Sequence, residues 1–294
     1  MFTQYFGHYL LNRNLVSLPQ LHEALEQLQS TRVKLGVLSV NAGYMSAAQA
    51  DEINQLQATM DKRFGEIAIK QGLLTEEQLS QLLSAQKESH LVLGQALIDR
   101  GALTLEQFQE ALAQYKREHY LSDEQFEAIK NGDIDVLVST LLKLDEKKEN
   151  EWYRQYLALL AKNIIRFIDD QLFMEVNAIP RDYSCDWLVL QRITGQTRIT
   201  TGFSMNEQSF LRLASAYAEE LISAPDEMAE ASVGEFLNLH NGLFLVAMSN
   251  HGIELELSPQ EISRNAALPL IQSGMLITIY LSDVSFELIL TVNG

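Results

Sequence analysis

Cysteine is almost missing from this chain of 294 residues: Cys185 stands alone. That excludes an internal disulfide and every metal site built from several thiolates, and leaves Cys185 a packing role. Basic residues are also few, 22 Lys and Arg against 39 Asp and Glu, for a formal charge of −17. A broad nucleic-acid interface or an anionic membrane surface would need a basic footprint, so neither partner is expected. No apolar run approaches the length of about 18 residues that spans a bilayer. Stretches such as 157–161 and 243–248 are soon broken by polar residues. The first residues lack the basic start and apolar core of a secretory signal, so the expectation is a soluble, cytoplasmic protein. There is no G-x-x-x-x-G-K-[ST], H-E-x-x-H, G-x-S-x-G or dinucleotide-binding fingerprint, which removes the common nucleotide and hydrolase chemistries.

What is present is ordinary globular material, 47% hydrophobic and 21% charged, long enough for about two cores. Charge is spread unevenly. Residues 1–119 carry −3 and residues 151–294 carry −10, which suggests different partners for the two halves.

The first half has a period. Gly7, Gly36, Gly65 and Gly94 recur every 29 residues, as do Asn14, Gly43, Gly72 and Gly101. Ser17, Ser46, Thr75 and Thr104 keep the same interval, each followed three residues later by Gln20, Gln49, Gln78 or Gln107. Physically, each copy reads as a short helix stopped by a left-handed Gly or Asn, then a capping box, then a longer amphipathic helix. Units this small cannot bury their own faces, so the four should stack on one another.

The copy pattern R-L-G-x-x-L-x-x-x-G-L, continuing into a leucine-spaced helix that ends in Gln, resembles the MshEN type of domain. That domain precedes secretion and pilus ATPases, and many members bind cyclic di-GMP. The resemblance implies two such domains in tandem over residues 1–119. In binding members the Arg two places before the first Gly contacts the nucleotide. That column holds Tyr5, Lys34, Arg63 and Val92, so Lys34 and Arg63 are the candidate cyclic di-GMP residues. The other reading is a helical docking scaffold that has lost the ligand; a doubly charged anion favours bidentate Arg, which Lys replaces poorly.

Residues 120–150 read as a helical linker, with short helices at 122–130 and 133–144 and a solvated charge run at 145–150. From Trp152 to Phe173 the pattern is helical, with Tyr153, Tyr156 and Phe167 as core. Strand-like runs at 187–194 and 196–204 flank Gly195, helices follow at 206–222 and 226–250, and strands return at 253–257, 275–281 and 286–292. The fold class is therefore an all-α, repeat-built N-terminal half followed by an α+β domain over 151–294, with helices on an antiparallel sheet.

One constellation carries chemistry. Glu235 and Asn238 lie three apart on one helix face, in the stretch Gly234-Glu235-Phe236-Leu237-Asn238-Leu239-His240-Asn241-Gly242. With Ala247–Pro259 downstream and Gly202-Phe203-Ser204 upstream, it resembles the CheC/CheX/FliY chemotaxis phosphatases, and with a single E-x-x-N it is closer to CheX. The resemblance implies that a phosphorylated response-regulator receiver is the partner. Asn238 would orient a water on its aspartyl phosphate, Glu235 would pair with a receiver lysine, and the Mg²⁺ would belong to the receiver. It also implies a homodimer through the C-terminal domain, for which the apolar strand 286–292 offers an edge. The alternative is a signalling adaptor that binds a receiver without catalysis. His240 and His251 lack a third ligand and read as surface or capping residues. No metal site of the chain's own is expected.

Overall fold

The computed structural model describes residues 1–28, 30–60, 62–84, 89–141, 148–177, 183–267 and 274–293. The chain divides into two compact units, Phe2–Asp133 and, with Met1, Ile134–Gly294.

Among its described residues the first unit builds its regular structure from helices alone: α1 (Phe2–Asn12), α2 (Leu18–Glu26), α3 (Leu35–Asn41), α4 (Ala47–Thr59), α5 (Phe64–Lys70), α6 (Glu76–Ser84), α7 (Ser89–Asp99), α8 (Leu105–Glu118) and α9 (Asp123–Lys130). Local chemistry sets each break. The backbone amides of Ser17, Ser46, Thr75 and Thr104 donate to the side-chain oxygens of Gln20, Gln49, Gln78 and Gln107 at 2.7–2.9 Å. Each preceding short helix ends at a left-handed residue: Asn14, Gly43, Gly72 and Gly101 have φ between 54° and 72°. The other glycine column lets helices close. A Cβ on Gly7 or Gly65 would meet Leu21 or Leu79 at 3.2 and 2.8 Å, and one on Gly94 would overlap the Phe108 ring, the neighbour in each case lying fourteen residues on.

The expected row of stacked copies takes a different form. α1 and α2 both pack on α7, so the first copy sits beside the fourth. The Phe6 and Phe108 rings are 5.9 Å apart and the Tyr9 and Tyr115 rings 5.1 Å apart, both edge-on. Arg100 pairs with Glu23 across the same junction. Burial of these aromatic rings is what the contact between the first and fourth copies contributes.

The second unit contains α10 (Ile134–Leu141), α11 (Lys148–Phe167), β1 (Phe173–Asn177), β2 (Ser184–Gly195), β3 (Arg198–Met205), α12 (Glu207–Ala218), α13 (Glu227–Ser249), β4 (Leu255–Leu257), β5 (Glu261–Ala267), β6 (Met275–Tyr280) and β7 (Ser285–Asn293). The sheet is antiparallel throughout, in the order β1-β6-β7-β3-β2, with β4 and β5 both pairing along the outer side of β2. One face, carrying Trp187, Val189, Ile193, Phe203, Ile277 and Leu288, packs with α11, α12 and α13 into the main core. Leu188, Leu276 and Ile289 form a smaller cluster on the opposite face.

Several sequence expectations change here. The long helix stops at Phe167, and Asp169 accepts from the amide of Gln171 at 2.8 Å, so Phe173 opens β1 instead of continuing the helix. β1 and β5 are additional strands. Phe286–Val292 is no edge: β7 pairs with β3 on one side and β6 on the other. An apolar strand of this kind is better satisfied in the sheet interior, where both rows of backbone groups are bonded. The charge run at 145–150 lies outside the described residues up to 147, and Lys148 already belongs to α11.

Candidate functional site

α13 starts where Asp226 accepts from the amides of Met228 and Ala229 at 3.1 and 3.0 Å. This cap satisfies two of the orphan donors of the first turn. Its buried stripe runs Ala229, Val233, Phe236, Leu237, His240, Asn241, Phe244 and Met248. Glu235 is left exposed on the other side, with Asn238 half-buried at the boundary. Their side chains meet, Asn238 Nδ2 lying 3.5 Å from Glu235 Oε2. Leu243 and Val246 continue the exposed face about two and three turns beyond Glu235.

Asn238 is held from behind. Gln191 on β2, only 2% exposed, donates from Nε2 to Asn238 Oδ1 at 2.9 Å and to the backbone oxygen of Ser258 at 2.9 Å. Its Oε1 accepts from Asn241 Nδ2 at 2.8 Å, and Asn241 donates again to Thr201 Oγ1 at 2.9 Å. The Tyr156 hydroxyl closes the chain, donating to Asn241 Oδ1 at 2.7 Å. Burial pushes the Tyr156 phenol far above its ordinary pKa, so it keeps the proton it donates. Strand register makes the arrangement possible: Gln191 and Thr201 are direct cross-strand partners on the helix-facing side of the sheet. Next to them, Gln260 donates to the backbone oxygen of Gly234 at 3.3 Å, tying the β4–β5 connection to α13.

His240 is not a surface or capping residue. It is fully buried, accepts from Asn163 Nδ2 at Nδ1 over 3.0 Å, and faces the Tyr156 ring edge-on at 4.4 Å. Desolvation lowers its pKa to about 3, so the ring is neutral. Tyr153 and Tyr156 are buried as expected, with Phe167 packed at the margin of the core. Cys185 is half-buried, its thiol 3.7 Å from the Ala266 oxygen, and burial raises its pKa.

The residues singled out in the first unit are not brought together. Lys34 precedes α3, with its ammonium 2.6 Å from Asp99 and its amide bonded to buried Gln95 at 2.9 Å. Exposed Arg63 precedes α5, where its amide is bonded by Glu66 at 3.1 Å. An open hollow of about 440 Å³ is lined by Gln57, Met60, Lys62, Arg63 and Glu66, and Lys34 is not part of its wall. Among the described residues no group of three or more His, Cys, Asp or Glu is placed to hold a metal ion. No helix among them is long and apolar enough to cross a membrane.

Sequence reasoning singled out Glu235 and Asn238 and missed Gln191, Thr201, Asn241 and Tyr156, the polar residues packed behind Asn238. A signal existed. Gln191 falls in phase with Trp187, Val189 and Ile193, and Thr201 in phase with Ile199, Phe203 and Met205, so each is a polar residue at a core position.

No protein-family model matches the chain, and no curated protein matches it. Solved structures that are similar include the chemotaxis protein CheX from Vibrio vulnificus, at 14% identity and a TM-score of 0.41, covering 49% of this chain and 99% of that one. The CheX-CheY-BeF3-Mg complex from Borrelia burgdorferi is similar at 13% identity and a TM-score of 0.42, covering 49% of this chain and 98% of that one. FliY from Thermotoga maritima is similar at 12% identity and a TM-score of 0.37, covering 51% of this chain and 92% of that one.

Proposed function

We propose that this chain is a signalling protein that dephosphorylates the aspartyl phosphate of a response-regulator receiver, with the site on the exposed face of α13. The observation that carries the reading is the state of Asn238. Its carboxamide is half-buried, held at Oδ1 by Gln191, and turned with Nδ2 toward Glu235 and the surface. A preorganised amide of this kind can hold a water against an incoming phosphoryl group, its outward Nδ2 donating to the water oxygen. The water oxygen attacks phosphorus in line, the bond from phosphorus to the aspartyl oxygen breaks, and the water's proton leaves with inorganic phosphate. The receiver's own Mg²⁺ neutralises the charge, so this chain supplies positioning more than acid–base power. Glu235, exposed one turn away, docks a receiver cation.

For the helical unit the docking role is the better supported. The Lys34 ammonium is already paired with Asp99, so a cyclic di-GMP phosphate would have to compete there, and Glu66, which bonds the Arg63 backbone amide, adds a negative charge to the wall that Arg63 lines. Calorimetry with cyclic di-GMP tests that choice: heat abolished by Arg63→Ala would restore the nucleotide reading.

The reaction itself is tested by incubating a phosphorylated receiver and Mg²⁺ with the chain or with Asn238→Ala. Loss of one preorganised contact should slow hydrolysis on the order of 10²–10³-fold. Equal decay with both proteins would make this an adaptor that binds without catalysis.

A further inference from the structure

We infer that Gln191 is a positioning residue: it sets which end of the Asn238 carboxamide faces the surface and holds it there. The inference rests on the proposed phosphatase reading for its consequence in rate, though not for the geometry itself.

The argument begins at Ser258. A backbone carbonyl can only accept, so the side-chain atom of Gln191 that lies 2.9 Å from it must be Nε2. Its second hydrogen then points to Asn238, whose Oδ1 must be the atom facing it at 2.9 Å. Asn238 Nδ2 is thereby turned outward. The opposite orientation would set one amide hydrogen against another. On the far side, Gln191 Oε1 demands a donor, which fixes Asn241 Nδ2 toward it and toward Thr201, and leaves Asn241 Oδ1 for the Tyr156 proton. Both amide hydrogens and the oxygen of Gln191 are thus used. A fully satisfied buried chain admits one arrangement, and breaking any link leaves a desolvated group unpaired.

The alternative role for Gln191 is purely structural, filling the space between β2 and the β4–β5 connection. That role predicts a loss of stability with no specific effect on Asn238. Gln191→Met keeps the unbranched length and removes every hydrogen bond, which separates the two.

Two readouts decide it. In ¹H–¹⁵N spectra of the full chain, the Asn238 carboxamide pair, assigned by its disappearance in Asn238→Ala, should shift and broaden in Gln191→Met as the amide is released. In the receiver assay, Gln191→Met should lower kcat about tenfold, the scale of lost supporting partners in other sites, with KM unchanged. It should add nothing in the Asn238→Ala background, because it acts through Asn238. If Gln191→Met does not fold, Tyr156→Phe removes only the hydroxyl behind Asn241 and should move the same carboxamide pair, with a fall in kcat of about threefold. An Asn238 signal unmoved by the folded variant, or a folded variant with wild-type kcat, overturns the inference. A wild-type chain with no hydrolysis overturns the phosphatase reading instead, and the spectra still decide the role of Gln191.

Discussion

Glu235 and Asn238 differ by one turn of α13 and by exposure, and under the proposed phosphatase reading the difference gives them different tasks. Glu235 is free to reach a partner, so Glu235→Ala should raise KM with little change in kcat, and the effect should shrink as salt rises. A rate loss at saturating receiver would contradict a docking role. His240 gives a residue-scale prediction in pH. Its ordinary pKa is near 6.5 and its folded pKa about 3, so the unfolded chain takes up a proton that the folded chain refuses. The neutral ring's contribution is therefore fully present above pH 6.5 and is lost as pH falls toward 3. Both tryptophans, Trp152 and Trp187, lie in the second unit, so their fluorescence in urea reads that unit alone. The midpoint should fall between pH 7.5 and 5, and less so in His240→Gln, which keeps an acceptor for Asn163. Equal slopes for the two proteins would remove His240 as a source. The signal for the burial of His240 was in the spacing, four residues after Phe236 and three after Leu237 and so on their apolar face, but a histidine's own chemistry suits surface and core alike.

Elements in the first unit obey rules that one copy already contains. A left-handed Gly or Asn, a Ser or Thr cap and a Gln three residues later act within a few residues of one another, so their outcome does not depend on what packs above them. The other glycine column is different, because its consequence depends on the opposite helix. A Cβ on Gly94 would overlap the buried Phe108 ring, so Gly94→Ala should destabilise by about 1–3 kcal/mol through overpacking. A Cβ on Gly36 would sit 3.5 Å from the Phe64 ring, an ordinary contact, so Gly36→Ala should be neutral or stabilising by up to about 1 kcal/mol from helix propensity. Thermal melts followed by circular dichroism check the pair, and the same sign for both would refute the packing account. In the second unit β5 escaped notice because Glu261-Ile262-Ser263-Arg264-Asn265-Ala266-Ala267 has little alternation and few β-branched residues; its partner β2 recruits it through backbone bonds.

At the scale of the whole molecule, the position of β7 redirects the assembly question. Both of its edges are used, so a homodimer through the second unit cannot form by adding a strand to Phe286–Val292. β1 and the β4–β5 side are the edges of the described sheet. We expect light scattering of the full chain at micromolar concentration to read a dimer. Leu288→Ala should leave that mass unchanged while costing about 2–5 kcal/mol of stability, as a deletion in a packed core does. A monomer mass for the unsubstituted chain would dispose of the dimer.

Taken alone, the sequence determined what is short-range in this protein: the breaks and caps at 29-residue intervals, the core phase of α11, and the placing of Glu235 and Asn238 on one helical turn. Each follows from hydrogen bonds or helical spacing spanning a few residues. Tertiary structure alone decided the seating of the first copy against the fourth, the interior place of β7, and the support of Asn238 by Gln191, 47 residues away. Those depend on strand register and on which buried groups must share donors and acceptors. A polar side chain at a core position announces that it needs a partner, and only the packed structure supplies which one.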